Sequence, residues 1–161
     1  MAHRTAGNRK VTAVDVSRAH EGDLAGIVRI DSRIENWPER RAFIERAVTA
    51  GECFVARLAD RRICGFATFD RSFFEQPFVS LLYVDETRRR EGVATALIER
   101  IEAICPGEKL FTSTNRSNGP MQRLCEKLGF VRSGYVENLD EGDPEIVYFK
   151  RLPGRAVGEG R

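Results

Sequence analysis

Arg88, Arg89 and Arg90 lead into Glu91, Gly92, Val93, Ala94 and Thr95, and residue types in this order are suited to holding an anion. Guanidinium groups offer planar, forked N–H donors that match phosphate oxygens. Gly92 opens a helical pattern in which Val93, Leu97, Ile101 and Ile104 recur on one face. The first amides of that helix, on Gly92, Val93, Ala94 and Thr95, have no intrahelical acceptor, and the helix dipole places partial positive charge where they point. Gly92 lets a ligand come close to the backbone, and Ala94 is nearly as small. Ahead of the arginines, Leu81-Leu82-Tyr83-Val84 is apolar and β-prone. A strand, a charged turn and a helix start therefore make an anion site.

Other chemistries find less support. Cys53, Cys64, Cys105 and Cys125 are far apart, without the close pairs of a zinc site, and each lies among apolar neighbours, so they read as buried free thiols. His3 and His20 are the only histidines and both lie near the start, which disfavours a His-based triad. No metal is expected. The formal net charge of +2, from 26 basic and 24 acidic residues, leaves no broad footprint for nucleic acid or a membrane surface. No apolar run approaches a membrane span, and residues 1–10 are polar, so a cytoplasmic protein is expected.

The elements that position the anion site follow from periodicity. At 161 residues the chain is long enough for one domain, expected over 11–152, with a flexible start at 1–10 and a Gly- and charge-rich disordered tail at 153–161. Val11 to Val16 alternate as a first strand. Leu24, Ile27, Val28 and Ile34 make a helical stripe, and Pro38 restarts a second helix whose apolar face is Phe43, Ile44 and Val48. The runs 53–58 and 63–69 flank the polar turn Ala59 to Arg62 as a hairpin. Asp70 to Pro77 is expected as a loop in which Phe73 and Phe74 form either a substrate wall or a cover over the sheet edge. The strand Phe78 to Val84 is apolar on both faces and should be central. Cys105-Pro106-Gly107 ends the helix begun at Gly92, and Lys109 to Thr114 is a strand. Asn118 caps a helix with Met121, Leu124, Cys125 and Leu128 on one face, stopped by Gly129. Strands near 130–137 and 145–152 close the chain around an acidic turn. The order is β-αα-β-β-β-α-β-α-β-β, an α/β arrangement with helices on the faces of a mixed sheet.

Arg89-x-x-Gly92-x-Ala94 resembles the acyl-CoA pyrophosphate loop of the Gcn5-related N-acetyltransferase family, Gln/Arg-x-x-Gly-x-Gly/Ala. Asn118-x-x-Met121-x-x-Leu124-Cys125-Glu126-Lys127-Leu128-Gly129-Phe130 is similar to that family's second signature, Asn-x-x-Ala-x-x-Leu-Tyr-Glu-Lys-x-Gly-Phe. The hairpin Phe54-Val55-Ala56 with Ile63-Cys64-Gly65-Phe66, and the final Tyr148 to Leu152, also look like this family. The resemblance spans about residues 11 to 152. It implies a mostly antiparallel sheet of about seven strands flanked by about four helices, with acetyl-CoA lying between splayed neighbouring strands. By the same resemblance, backbone groups of Leu82 and Val84 pair with the pantetheine arm. Arg90, Gly92, Val93, Ala94 and Thr95 give amides to the pyrophosphate, with Arg89 nearby, and Asn118 contacts the arm. An amide near Val84 polarises the thioester carbonyl while a neutral primary amine of a small molecule, peptide or protein attacks directly.

The family's tyrosine, which protonates the departing thiolate, is replaced here by Cys125. That residue also occupies the apolar stripe of its helix, which favours packing over acid catalysis. Water, Tyr135 and Tyr148 are the alternative donors. Glu75, Glu137, Asp140, Glu141, Asp143 and Glu145 are the carboxylates expected near the acceptor, to take its proton or attract its charge. The acceptor pocket is expected from the first helices, the Phe73-Phe74 loop and the last hairpin; Trp37, at the junction of the first two helices, is read as a core residue, with pocket lining as the alternative. The protein is expected as monomer or homodimer. A non-catalytic acyl-CoA sensor is the alternative reading, supported by the missing tyrosine.

Overall fold

The computed structural model describes residues 11–154. Of the flexible start expected at 1–10 and the disordered tail expected at 153–161, residues 1–10 and 155–161 lie outside the described residues. In order, the elements are β1 (Asp15–Arg18), α1 (Leu24–Ile30), α2 (Arg33–Asn36), α3 (Pro38–Thr49), β2 (Cys53–Arg57), β3 (Ile63–Phe73), β4 (Gln76–Val84), α4 (Val93–Ile104), β5 (Lys109–Asn115), α5 (Gly119–Lys127), β6 (Val131–Val136) and β7 (Glu145–Arg151). The strands form one seven-stranded sheet in the order β1-β2-β3-β4-β5-β7-β6. Only β4 and β5 run parallel.

Alternation along the strands sorts the core into two layers. Val55, Phe66 and Tyr83 point to one face and pack with Ile27, Ile30, Ile34, Ile44 and Val48 of α1 to α3. Phe54, Ala56, Ala67 and Val79 point to the other and meet Val93, Leu97, Ile98 and Ile101 of α4, with Cys125 of α5 in the same cluster. The central strands are covered on both sides, as their continuous apolar character requires. Gly65 sets the depth of α4: a Cβ there would sit 2.9 Å from Val93 Cγ1 and 3.1 Å from the Tyr83 carbonyl oxygen.

Three local features differ from the sequence reading. The first strand is Asp15–Arg18, later and shorter than Val11 to Val16. Its partner β2 runs out at Arg57, opposite Asp15, and Leu58 already belongs to a turn closed by Arg61 N–H on its carbonyl at 2.9 Å, so residues 11–14 have no strand to pair with. The kink before Pro38 contains a helical turn of its own, α2, giving five helices among the described residues. The expected loop 70–77 is instead the tip of a long hairpin, because β3 continues to Phe73 and β4 begins at Gln76. Phe74 and Glu75 turn the chain with φ of 49° and 59°, the left-handed pair whose twist suits a two-residue hairpin. Neither is Gly, Asn or Asp, so the usual residue signal for such a turn is absent.

Phe73 covers the sheet. Its ring lies 5.2 Å from Phe78 and 5.4 Å from Phe111, and Phe111 lies 5.4 Å from Phe149, a row of rings across β3, β4, β5 and β7. Phe74 remains exposed.

Candidate active site

The parallel pair β4–β5 is bonded only at its beginning. Phe78 stands opposite Phe111 and Val79 opposite Thr112, with no ladder beyond. The Thr112 hydroxyl donates to the Val79 carbonyl at 2.9 Å and closes the apex. From there the two strands continue to Val84 and Asn115 as the sides of a cleft.

Backbone groups of β4 line one side. Asp85 N–H donates to the Cys64 carbonyl at 2.9 Å, and the register places Gly65 opposite Val84, Phe66 opposite Tyr83 and Ala67 opposite Leu82. Antiparallel pairs alternate between hydrogen-bonded and non-hydrogen-bonded, so Val84 and Leu82 turn their N–H and C=O groups away from β3 and toward β5. Arg89 Nε, 3.5 Å from the Val84 carbonyl oxygen, approaches from that outer side.

The turn after β4 delivers the free helix amides to the open end. Asp85 accepts from the Thr87 N–H and hydroxyl, each at 2.9 Å, and winds residues 86–88 into a single tight turn. Arg90 and Gly92 then take left-handed φ values of 64° and 85°. No side chain caps α4. The first intrahelical bond is Ala96 N–H to the Gly92 carbonyl at 3.0 Å, which leaves the amides of Val93, Ala94 and Thr95 without an intrahelical acceptor. A Cβ on Gly92 would meet only Val11 Cγ1, at 3.6 Å, so the backbone is open to approach. Arg88 pairs with Glu91 at 3.6 Å and Arg89 with the exposed Glu86 at 3.8 Å.

Of the three candidate proton donors, Cys125 and Tyr148 share one buried core cluster and Tyr135 lies apart on the surface. Cys125 is sealed in the core, and burial, reinforced by the neighbouring Glu126 charge, pushes its thiol up to about 12. Tyr135 is exposed on the edge strand β6. Tyr148 is fully buried opposite Thr112, and its hydroxyl has no hydrogen-bond partner among the described residues. Asn118 caps α5 as expected, its Oδ1 accepting from Met121 N–H at 3.2 Å.

The acceptor side gathers two of the three expected segments. β7 begins opposite the end of β5, Glu145 beside Asn115, so the last hairpin stands at the open end. Its acidic turn is buckled to the β5–α5 loop: Asn115 Nδ2 donates to Asp140 at 2.7 Å, Ser117 N–H to Asp143 at 2.9 Å, and Arg116 N–H to the Pro144 carbonyl at 2.8 Å. The Ser117 hydroxyl and amide hold the Asp143 carboxyl below its ordinary range. The α1–α2 corner arrives from the other side, where the Arg33 guanidinium lies over the Tyr83 ring at 4.9 Å. The Phe73-Phe74 turn, by contrast, lies at the opposite end of β4, before Gln76, which is itself eight residues from Val84, roughly 26 Å at a strand's rise of about 3.3 Å per residue. Phe73, Phe74 and Glu75 therefore do not line this pocket. Trp37, 52% exposed at the start of α3, is not a core residue.

One group escaped the sequence reading. Asp31 is fully buried; its Oδ1 accepts from Arg33 Nε at 3.1 Å and its Oδ2 from Arg40 Nε at 2.7 Å. The signal was present, because Asp31 falls between Ile27, Ile30 and Ile34 in the buried phase of the helical stripe. A carboxylate at such a phase needs a cationic partner, and Arg33 and Arg40 follow it.

Comparison with known proteins bears on this arrangement. No curated protein matches the sequence. The chain is similar to an acetyltransferase of the GNAT family from Bacillus cereus ATCC 10987, at 40% identity over 88% of this chain and 99% of that one, with a TM-score of 0.81. The ribosomal-protein-S18-alanine N-acetyltransferase of Escherichia coli shares the fold at 17% identity, covering 91% and 98% of the two chains with a TM-score of 0.72. A streptothricin-acetyltransferase-like protein of Bacillus anthracis, solved in complex with acetyl coenzyme A, shares it at 20% identity over 63% of this chain and 62% of that one, with a TM-score of 0.58. The sequence profile of the Acetyltransferase (GNAT) family matches residues 15–130, which include β4, the arginine turn, α4 and α5, and the chain belongs to that family of acetyltransferases.

Proposed function

We propose that this enzyme moves an acetyl group from acetyl-CoA, the family's acyl donor, to a primary amine of a small molecule, peptide or protein by direct attack on the thioester. The observation that carries the reading is the β4–β5 cleft, paired only at its apex and opening beside the free amides of α4. A thioester supplies an activated carbonyl; the chain supplies the groups around it. The amides of Arg90, Gly92, Val93, Ala94 and Thr95 hold the diphosphate, with Arg89 adjacent. Outward-turned peptide groups of Leu82 and Val84 pair with the pantetheine amides as an added strand would, and the Val84 N–H polarises the thioester carbonyl. Asn118 spends its carbonyl on the helix cap, so the group it offers the arm is its amide Nδ2.

Water, rather than Cys125, protonates the departing thiolate. Cys125 is sealed in the core with its thiol pushed up to about 12, whereas a thiolate whose conjugate acid has an ordinary value of about 8.5 needs no strong acid to leave and takes its proton from solvent. Among the carboxylates, Asp140 and Asp143 are engaged in the loop buckle, Glu75 is remote, and Glu137 and Glu141 are exposed to solvent outside the strands, so Glu145, half-buried and fixed on β7 at the open end, is assigned to attract and deprotonate the incoming ammonium. The buried thiols of Cys53, Cys64 and Cys125 suit a reducing compartment and support a cytoplasmic location. No helix among the described residues is long and apolar enough to cross a membrane. If a homodimer forms, the exposed Val131, Tyr135 and Val136 of edge strand β6 are its contact surface.

Thermal unfolding with acetyl-CoA tests the site. Ligand at about a hundred times its dissociation constant adds about 2.7 kcal/mol to the native state, a shift of several degrees. Gly92→Glu, which places a side chain and a negative charge at the helix start, should abolish the shift, and Arg89→Ala should reduce it. No shift in the parent protein at millimolar acetyl-CoA would sink the proposal.

A further inference from the structure

We infer that the acceptor is an aminocarboxylate, or an amine carrying another anionic group, with Arg33 as the residue that selects it. The inference rests on the acetyltransferase reading above and names the class of its second substrate. Asp31 is one buried carboxylate shared by two arginines, so the cluster carries an excess positive charge. Arg40 is the inner partner, its side chain 9% exposed. The excess therefore appears at Arg33, whose side chain is 54% exposed.

That guanidinium is positioned rather than loose. Asp31 Oδ1 accepts from both the backbone N–H of Arg33, at 3.2 Å, and its Nε, at 3.1 Å, and the guanidinium lies over the Tyr83 ring at 4.9 Å. With Nε committed, the terminal nitrogens remain as a fork for two anionic oxygens. The Arg89 guanidinium reaches the same ring at 5.7 Å. Arg89 also pairs with Glu86, 75% exposed at 3.8 Å, a contact that water largely screens. Tyr83 immediately precedes Val84, the residue assigned to the thioester carbonyl. The opposite side of the mouth carries the acidic residues of the β6–β7 turn and Glu145. With Arg89 given to the diphosphate, Arg33 makes one rim cationic while the other is anionic, and a zwitterion whose ammonium faces Glu145 and whose carboxylate faces Arg33 complements both.

The test uses matched amines on the full chain: glycine, β-alanine, γ-aminobutyrate and δ-aminovalerate, each against its primary amide, with benzylamine as a neutral reference. At least one carboxylate should exceed its amide by about tenfold or more in kcat/KM. Arg33→Gln should bring that ratio to within about twofold while the acetyl-CoA thermal shift persists, and Arg33→Lys should keep part of it. A merely structural Arg33 would lower both members of a pair together, so an unchanged ratio in Arg33→Gln overturns the inference. Equal or better turnover of every amide, or of benzylamine alone, overturns it and leaves the acetyltransferase reading standing. No turnover of any amine by a protein that binds acetyl-CoA overturns both.

Discussion

At the scale of single residues, Cys125 shows how one substitution changes a side chain's role without disturbing the fold. Its position in the apolar stripe of α5 puts it inside the core with Leu97, Ile101 and Phe130, where a thiol is a small hydrophobe. Cys125→Ala should therefore lower turnover by less than about tenfold, whereas loss of an essential general acid costs about a hundredfold or more. A loss of several hundredfold with unchanged acetyl-CoA affinity would make the thiol the acid after all. The packing role was legible in the sequence, since the helical phase of Cys125 is local. The isolation of the Tyr148 hydroxyl was not, because it depends on what β5, α4 and α5 place around β7.

At the scale of elements, the site depends on how closely α4 lies against β3 and β4. Gly65 permits that contact, with the Tyr83 carbonyl and the Val93 and Leu97 side chains crowding the space a Cβ would need. Gly65→Ala should push α4 outward, costing about 1–3 kcal/mol in denaturant unfolding and weakening acetyl-CoA binding by moving the helix amides away from the end of β4. Unchanged stability together with unchanged affinity would show that the helix position is slack. The strand–turn–helix itself was readable from β-prone residues, a glycine and a helical stripe. The role of Gly65 was hidden, because its crowding partners lie on β4 and α4.

At the scale of the whole molecule, buried charge joins elements that the apolar core alone would leave independent. Arg57 on β2 donates to Ser17 on β1 and to Asp23 at the start of α1, each at 2.6 Å. Burial pushes the Asp23 carboxyl up, but the His20 backbone N–H and the Arg57 guanidinium outweigh it and hold the group below its ordinary value of 3.8. A depressed folded value means stability that is present above the ordinary carboxylate range and lost as pH falls through it. Asp23→Asn should cost about 3–5 kcal/mol at neutral pH, by leaving Arg57 buried without its counter-charge, and should flatten the fall in stability as pH drops through and below the ordinary carboxylate range. Parallel acid profiles for the two proteins would remove Asp23 from the acid transition.

The sequence by itself determined what depends on near neighbours: the order of elements, the cap at Asn118, the stop at Gly129, and a glycine-opened helix after a strand and three arginines. These follow from helical and strand periodicity and from caps within a few residues. Tertiary structure decided what depends on pairing between distant segments. Where β2 ends set the length of β1, and the two-residue turn at Phe74 and Glu75 carried those residues away from the acceptor mouth. The divergence of β4 from β5 made the cleft, and the α1–α2 corner brought Arg33 onto Tyr83. Register and crossover geometry are properties of the assembled sheet, so no local pattern of residue types encodes which side chains meet at its open end.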